Sequence, residues 1–167
     1  MIRTILWTTI FALAAALLQS TLLSHIALFR VVPDLALGII VYSAYVNGSM
    51  NGQLSGFCSG ILLDFLSAAP LGLNALIRTL IGALAGMLKG AFILDIVFLP
   101  MALCAAATVL KALLLLLLHL LLGDNIPAYP LASPVLWVEL GLNTISAPFL
   151  FALLKLLKKF LAGKGEH

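Results

Sequence analysis

The chain has 167 residues, of which 63% are hydrophobic and only 9% are Asp, Glu, Lys or Arg. A soluble domain carries roughly 25% charged residues, so this chain cannot cover a water-facing surface, and its mean hydropathy of +1.23 agrees. Soluble globular domains, disordered tails and nucleic-acid-binding modules are excluded, leaving an integral membrane protein expected to form one transmembrane domain over residues 1–167.

The first span is expected at about residues 5–23, after Arg3. Residues 4–29 carry no Asp, Glu, Lys or Arg, and no clear small-x-small cleavage site follows, so an uncleaved span is expected rather than a removed leader. Gln19, Ser20 and Thr21 near its end are suited to facing other helices or the interface. Pro33 and Asp34 open the second span, at about 34–46. Proline suits the first turn of a helix, and a carboxylate there meets the positive end of the helix dipole. Asn47-Gly48 gives a stop signal. Thirteen residues cover only about 20 Å of a hydrocarbon core about 30 Å thick. A re-entrant element, a strongly packed helix or local bilayer thinning would each accommodate that length.

The third and fourth spans are expected at about 52–66 and 73–88, joined by a turn at Ser67–Gly72 that contains Pro70. The fifth, at about 96–122, follows Asp95, and Pro100 marks an interfacial start or a kink; its leucine run reads as lipid-facing. The sixth is expected at about 135–157, after a proline-containing outer loop. Six spans place Arg3, Lys89 and the tail lysines Lys155, Lys158, Lys159 and Lys164 on one side, leaving Arg30 outside. By the positive-inside rule both termini are then cytoplasmic; a five-span reading would separate the two ends.

Glycine recurs every fourth residue at Gly48, Gly52, Gly56 and Gly60, and the series continues to Asp64. The fourth span has a matching row of Asn74, Arg78, Gly82, Gly86 and Gly90. Residues four apart share a helix face, and small side chains allow close helix contact in a membrane. Counted from the hairpin turn, Asp64 and Asn74 lie about 7 Å deep and Arg78 about 13 Å. An arginine snorkels, so these three are expected to meet. The pairing of Asp64 with Arg78 would limit a burial cost of about 2.5–3.5 kcal/mol per charge. Such a pair either locks two helices or shapes a partner surface, and one pair does both without conflict. Lys111 and Glu139 form a second candidate pair, with Asn143 one turn beyond Glu139.

No chemistry is visible. Leu54-Ser55-Gly56 lacks the glycine two residues before the serine of an intramembrane serine protease, because Gln53 stands there. The six-span topology sets Asp34 and Asp64 near the outer side, where the two could meet as a dyad, and Asp95 near the inner side, but neither Asp34 nor Asp64 lies in an intramembrane protease motif. His25, His119 and His167 show no metal spacing, no phosphate-cradling loop is present, and no cofactor is expected. Cys58 and Cys104 lie in apolar runs, and nothing argues for a disulfide between them.

Pro33-Asp34-Leu35, Gly56-Phe57 with Gly60, Leu63-Asp64, Ser67, and the run from Pro70 to Leu76 resemble the bacterial rod shape-determining protein MreD family. The resemblance implies a non-enzymatic, multi-pass inner-membrane component of the elongation machinery. Its implied main partner is MreC, which would link it to RodA and its penicillin-binding transpeptidase and, inward, to MreB. The family is also similar to the six-helix S subunits of energy-coupling-factor transporters, which supplies an alternative reading as a small-molecule binder. Pro33, Asp34, Gly52, Gly56, Gly60, Asp64, Pro70, Gly72, Asn74, Arg78, Gly82 and Gly86 are the candidate structural and partner-binding residues.

Overall fold

The computed structural model describes residues 1–21, 31–67, 69–91, 97–123, 126, 134–157 and 161. His25, Arg30, Asp95, Lys158, Lys159, Lys164 and His167 lie outside the described residues. The helices are α1 (Ile2–Thr21), α2 (Leu35–Asn47), α3 (Ser49–Leu66), α4 (Leu73–Met87), α5 (Phe98–Leu122) and α6 (Pro134–Leu156). Among the described residues the protein is an all-α membrane protein of six helices. Helices α1, α5 and α6 are long and apolar enough to cross a bilayer, whereas α2 and α4 are shorter apolar helices.

The short α2 is the centre of the bundle. Residues Ala36 to Tyr45 are all buried, and α2 packs against each of the other five helices. A helix that is apolar on every side belongs inside rather than on an amphipathic surface. This favours the strongly packed reading of its length. Its neighbours present small or complementary faces. From α1 come Thr4, Thr8, Ala12 and Ala15, and the Thr8 and Ser43 hydroxyls meet at 2.7 Å. At the other end the Asn47 side-chain amide donates to the Ser43 carbonyl and the Leu161 carbonyl, each at 2.8 Å.

The turn between α2 and α3 is tighter than the gap between the spans expected at 34–46 and 52–66. Gly48 alone makes it, with φ +95° and ψ 173°, a conformation open essentially only to glycine. Helix α3 therefore starts at Ser49, three residues earlier than expected.

Helices α3 and α4 form the closest pair. A Cβ on Gly52 would strike the Gly82 carbonyl, one on Gly56 the Arg78 carbonyl, and one on Gly60 the Ala75 backbone. One on Gly86 would strike Ser49. The two glycine rows thus face each other and let the backbones touch, which explains their four-residue spacing. Pro100 is the third residue of α5, where the first turn has no intrahelical acceptor for its missing N–H, so it begins the helix and does not kink it. Beyond Lys111 the leucine run is largely lipid-facing, although Ala112 and Leu115 are buried.

Candidate functional site

The acid at the end of α3 caps α4. Asp64 accepts from the backbone N–H groups of Gly72 (3.0 Å), Asn74 (2.9 Å) and Ala75 (3.1 Å), and from the Asn74 side-chain amide (2.9 Å). The Leu73 N–H donates to the Pro70 carbonyl at 3.1 Å. The first N–H groups of α4 are thereby satisfied at an end where they would otherwise face hydrocarbon. Gly72, at φ +93°, turns the chain into this position, and a side chain there would be strained. Asp64 and Asn74 meet as expected, but Arg78 does not join them. The expected Asp64–Arg78 pair is replaced by a longer-range one.

Arg78 reaches Asp34 instead. Its Nη2 donates to Oδ1 at 3.2 Å and to Oδ2 at 3.4 Å, 44 residues away in sequence. Lys111 on α5 donates from Nζ to Asp34 Oδ2 at 3.0 Å and to Glu139 Oε1 at 2.7 Å. Asp34 also caps α2, its Oδ1 accepting from the Leu37 N–H at 3.0 Å. Its own N–H donates to Asn143 Oδ1 at 2.6 Å. The Asn143 amide donates to Thr108 at 2.9 Å, and Thr108 donates to the Cys104 carbonyl. Gln19 of α1 accepts from the Ala36 N–H at 3.0 Å. Asp34 is thus a hub joining α2, α4, α5 and α6. Two cations and two carboxylates neutralise one another in the interior, as intramembrane charges must.

This arrangement explains why α2 is short. Asn143 is nine residues into α6, about 13 Å along its axis. Asp34 meets it there, so α2 begins well inside the bundle and its roughly 20 Å complete the crossing. The non-helical backbone before it is tolerated at this depth because it is covered by protein; Val31 is buried.

The Lys111–Glu139 pair, the capping role of Asp34 and the placement of Gly48 in the turn agree with the sequence. The hub role of Asp34 was missed, as was Thr108. Thr108 lies one turn before Lys111, and a lone hydroxyl in an alanine-rich run facing the same side as a lysine was the available signal. Cys58 is exposed and Cys104 buried, and both are free thiols. His119 meets the Ile126 carbonyl at 2.8 Å, and no group of His, Cys, Asp and Glu among the described residues is arranged to hold a metal. Arg78 Nη1 is buried without an acceptor among the described residues.

The Asp64 cap sets a measurable expectation. Asp64→Ala should destabilise the chain by about 2 kcal/mol in detergent, near the upper end for a lost cap because the freed N–H groups are shielded from water. Asp64→Asn, which keeps a side-chain acceptor, should cost less than half as much. Equal losses in a denaturation series would show that charge, not capping, is what Asp64 supplies.

A bundle of apolar helices whose buried ions cancel, with the short α2 packed among the other five, defines a helical membrane protein. The model of the rod shape-determining protein MreD family matches residues 1–157, and the chain belongs to that family. No curated protein and no solved structure matches it.

Proposed function

We propose that this chain is a non-catalytic scaffold of the rod-shape complex in the bacterial inner membrane. Its direct partner is MreC, through which it is coupled to RodA and its penicillin-binding transpeptidase, and inward to MreB. The observation that carries the reading is the closed charge network: Arg78, Asp34, Lys111 and Glu139 engage one another. Their chemistry fixes the helices relative to each other, and a fixed outer shape is what a docking scaffold supplies. The glycine rows act in the same way. They meet each other inside the chain, so they influence a partner through the shape of the α3–α4 hairpin. The polar chamber beside Asp34, Thr108 and Asn143 has a volume of only about 10 Å³, room for about one water. The transporter-subunit reading needs a pocket of at least about 300 Å³ with convergent polar groups.

Co-purification with MreC from detergent tests the proposal. Wild-type chain should retain MreC, and Asp34→Asn and Asp64→Leu should both reduce recovery relative to the amount of folded chain. Undiminished recovery with both variants would remove the link between this interior and the partner. Both termini are cytoplasmic in this reading. Reporter fusions at residue 1 and residue 167 should therefore be active on the same, inner side, and activity on opposite sides would overturn the six-span topology.

A further inference from the structure

The small chamber beside the Asp34 hub has polar and apolar walls. Asp34, Thr108, Asn143 and Ser146 supply the polar groups, and Gly38, Cys104 and aliphatic side chains supply the rest. Three of these polar residues keep hydrogen-bonding capacity beyond the bonds they make. Asn143 gives one amide hydrogen to Thr108, and its oxygen accepts from the Asp34 N–H, which fixes the way the amide points. Its second amide hydrogen has no acceptor among the described residues, although Asn143 is only 5% exposed. The Thr108 hydroxyl donates to the Cys104 carbonyl and accepts from Asn143, which leaves one lone pair. The Ser146 hydroxyl donates to the Asn143 carbonyl at 3.3 Å and accepts from no described residue. The walls therefore offer one N–H and two hydroxyl oxygens.

Size, polarity and charge each bear on what fills this space. Its volume, about 10 Å³, is that of a single water site. An aliphatic group there would leave the amide hydrogen and the hydroxyl oxygens without partners, which burial penalises. A small cation would add an uncompensated charge, since Asp34 already holds Arg78 and Lys111, and Lys111 is shared with Glu139. Water is neutral, accepts from one donor and donates to two acceptors, and so matches the walls group for group.

We propose that one water is bound in this chamber as a fixed part of the bundle, accepting from the Asn143 amide and donating to the Thr108 and Ser146 hydroxyls. It joins Ser146 to the hub and ties α5 to α6 beside the ion network. The site stands whichever protein the chain scaffolds.

X-ray hydroxyl-radical footprinting of the full chain in nanodiscs, read by mass spectrometry, tests this. A bound water activated in place oxidises the side chains beside it. Leu37 and Leu154 are each 2% exposed, and Leu37 lines the chamber whereas Leu154 does not. Leu37 should be oxidised several-fold more than Leu154. When the sample is mixed with oxygen-18 water just before exposure, the oxygen added to Leu37 should remain oxygen-16 after solvent-exposed residues carry the heavy isotope. Gly38→Ala sets a methyl against Leu150 Cδ2 and Cys104 Sγ at the chamber wall, where the flexible end of Leu150 can give way, and should bring Leu37 down to the level of Leu154. Ser146→Ala, which removes an acceptor, should lower the Leu37 signal as well. Gly141→Ala, with nothing within 4 Å of the added methyl, should leave it unchanged. Equal oxidation of Leu37 and Leu154 in the wild-type chain would mean a dry chamber and overturn the proposal. Heavy isotope on Leu37 at the earliest mixing time would mean bulk water entering freely, and a Leu37 signal undiminished in both chamber variants would place its source elsewhere; either result overturns it equally.

Discussion

Asp34→Asn is expected to be the most damaging polar substitution in the chain. The change keeps size and removes charge. It leaves Arg78 without a carboxylate partner, with its Nη1 already lacking an acceptor. It also leaves Lys111 with Glu139 alone of its two carboxylates. Breaking one side of a buried ion pair typically costs about 3–5 kcal/mol, because the surviving charge stays desolvated. Here the survivor sits where four helices converge. The loss should appear as an earlier unfolding midpoint in detergent and lower yield of folded chain. Arg78→Gln should be damaging for the same reason. The double variant Asp34→Asn, Arg78→Gln should lose less than the sum of the two, by about 0.5–3 kcal/mol, since Lys111 and Glu139 remain a neutral pair. Strict additivity in that cycle would show that the two groups do not depend on one another.

The second large effect is expected at the α3–α4 seam. Gly52 and Gly82 face each other so closely that a Cβ on either strikes the other's backbone. Backbone has no rotamer to retreat into, so the helices themselves must separate. Overpacking of this kind costs about 1–3 kcal/mol, occasionally more, and Gly52→Leu belongs at the upper end. The displacement would also pull the first turn of α4 away from Asp64 and Arg78 away from Asp34. Gly141 provides the contrast: it lies within α6 with nothing within 4 Å of an added Cβ. Gly141→Ala should stabilise by about 0.5–1 kcal/mol through the unfolded chain. Thermal unfolding of the three proteins side by side checks both signs.

The glycine rows, the stop at Gly48 and the capping role of Asp34 could be read from spacing, because each depends on residues within one helix or one turn. The partner of Arg78 could not. Depth counted from the nearest turn assumes that every helix begins at the membrane surface, and that assumption placed Arg78 with Asp64 on its own hairpin. Asp34 begins a helix deep in the bundle, level with Asn143, and nothing local to residues 33–47 announces that depth. The length of α2 was the clue: a helix too short to cross has to start or finish inside, and its terminal carboxylate then needs cations from elsewhere. Lys111 and Glu139 paired as expected because they lie on consecutive, packed helices, and Lys111 reaches Asp34 as well. Thr108 escaped notice because one hydroxyl among alanines is usually satisfied by its own helix, and here it serves the next helix as well.

The depth at which α2 begins has a consequence for how the protein is made. The residues that hold Asp34 lie on the fourth, fifth and sixth helices, so they emerge from the ribosome after the second has already left it. During that interval the nascent second helix has an acid at its tip and too little length to settle across the bilayer unaided. It must be sheltered, by the insertion machinery or at the lipid interface, until the last helix arrives. Chains that stop before Asn143 should therefore be cleared by membrane proteases instead of persisting as a partial bundle.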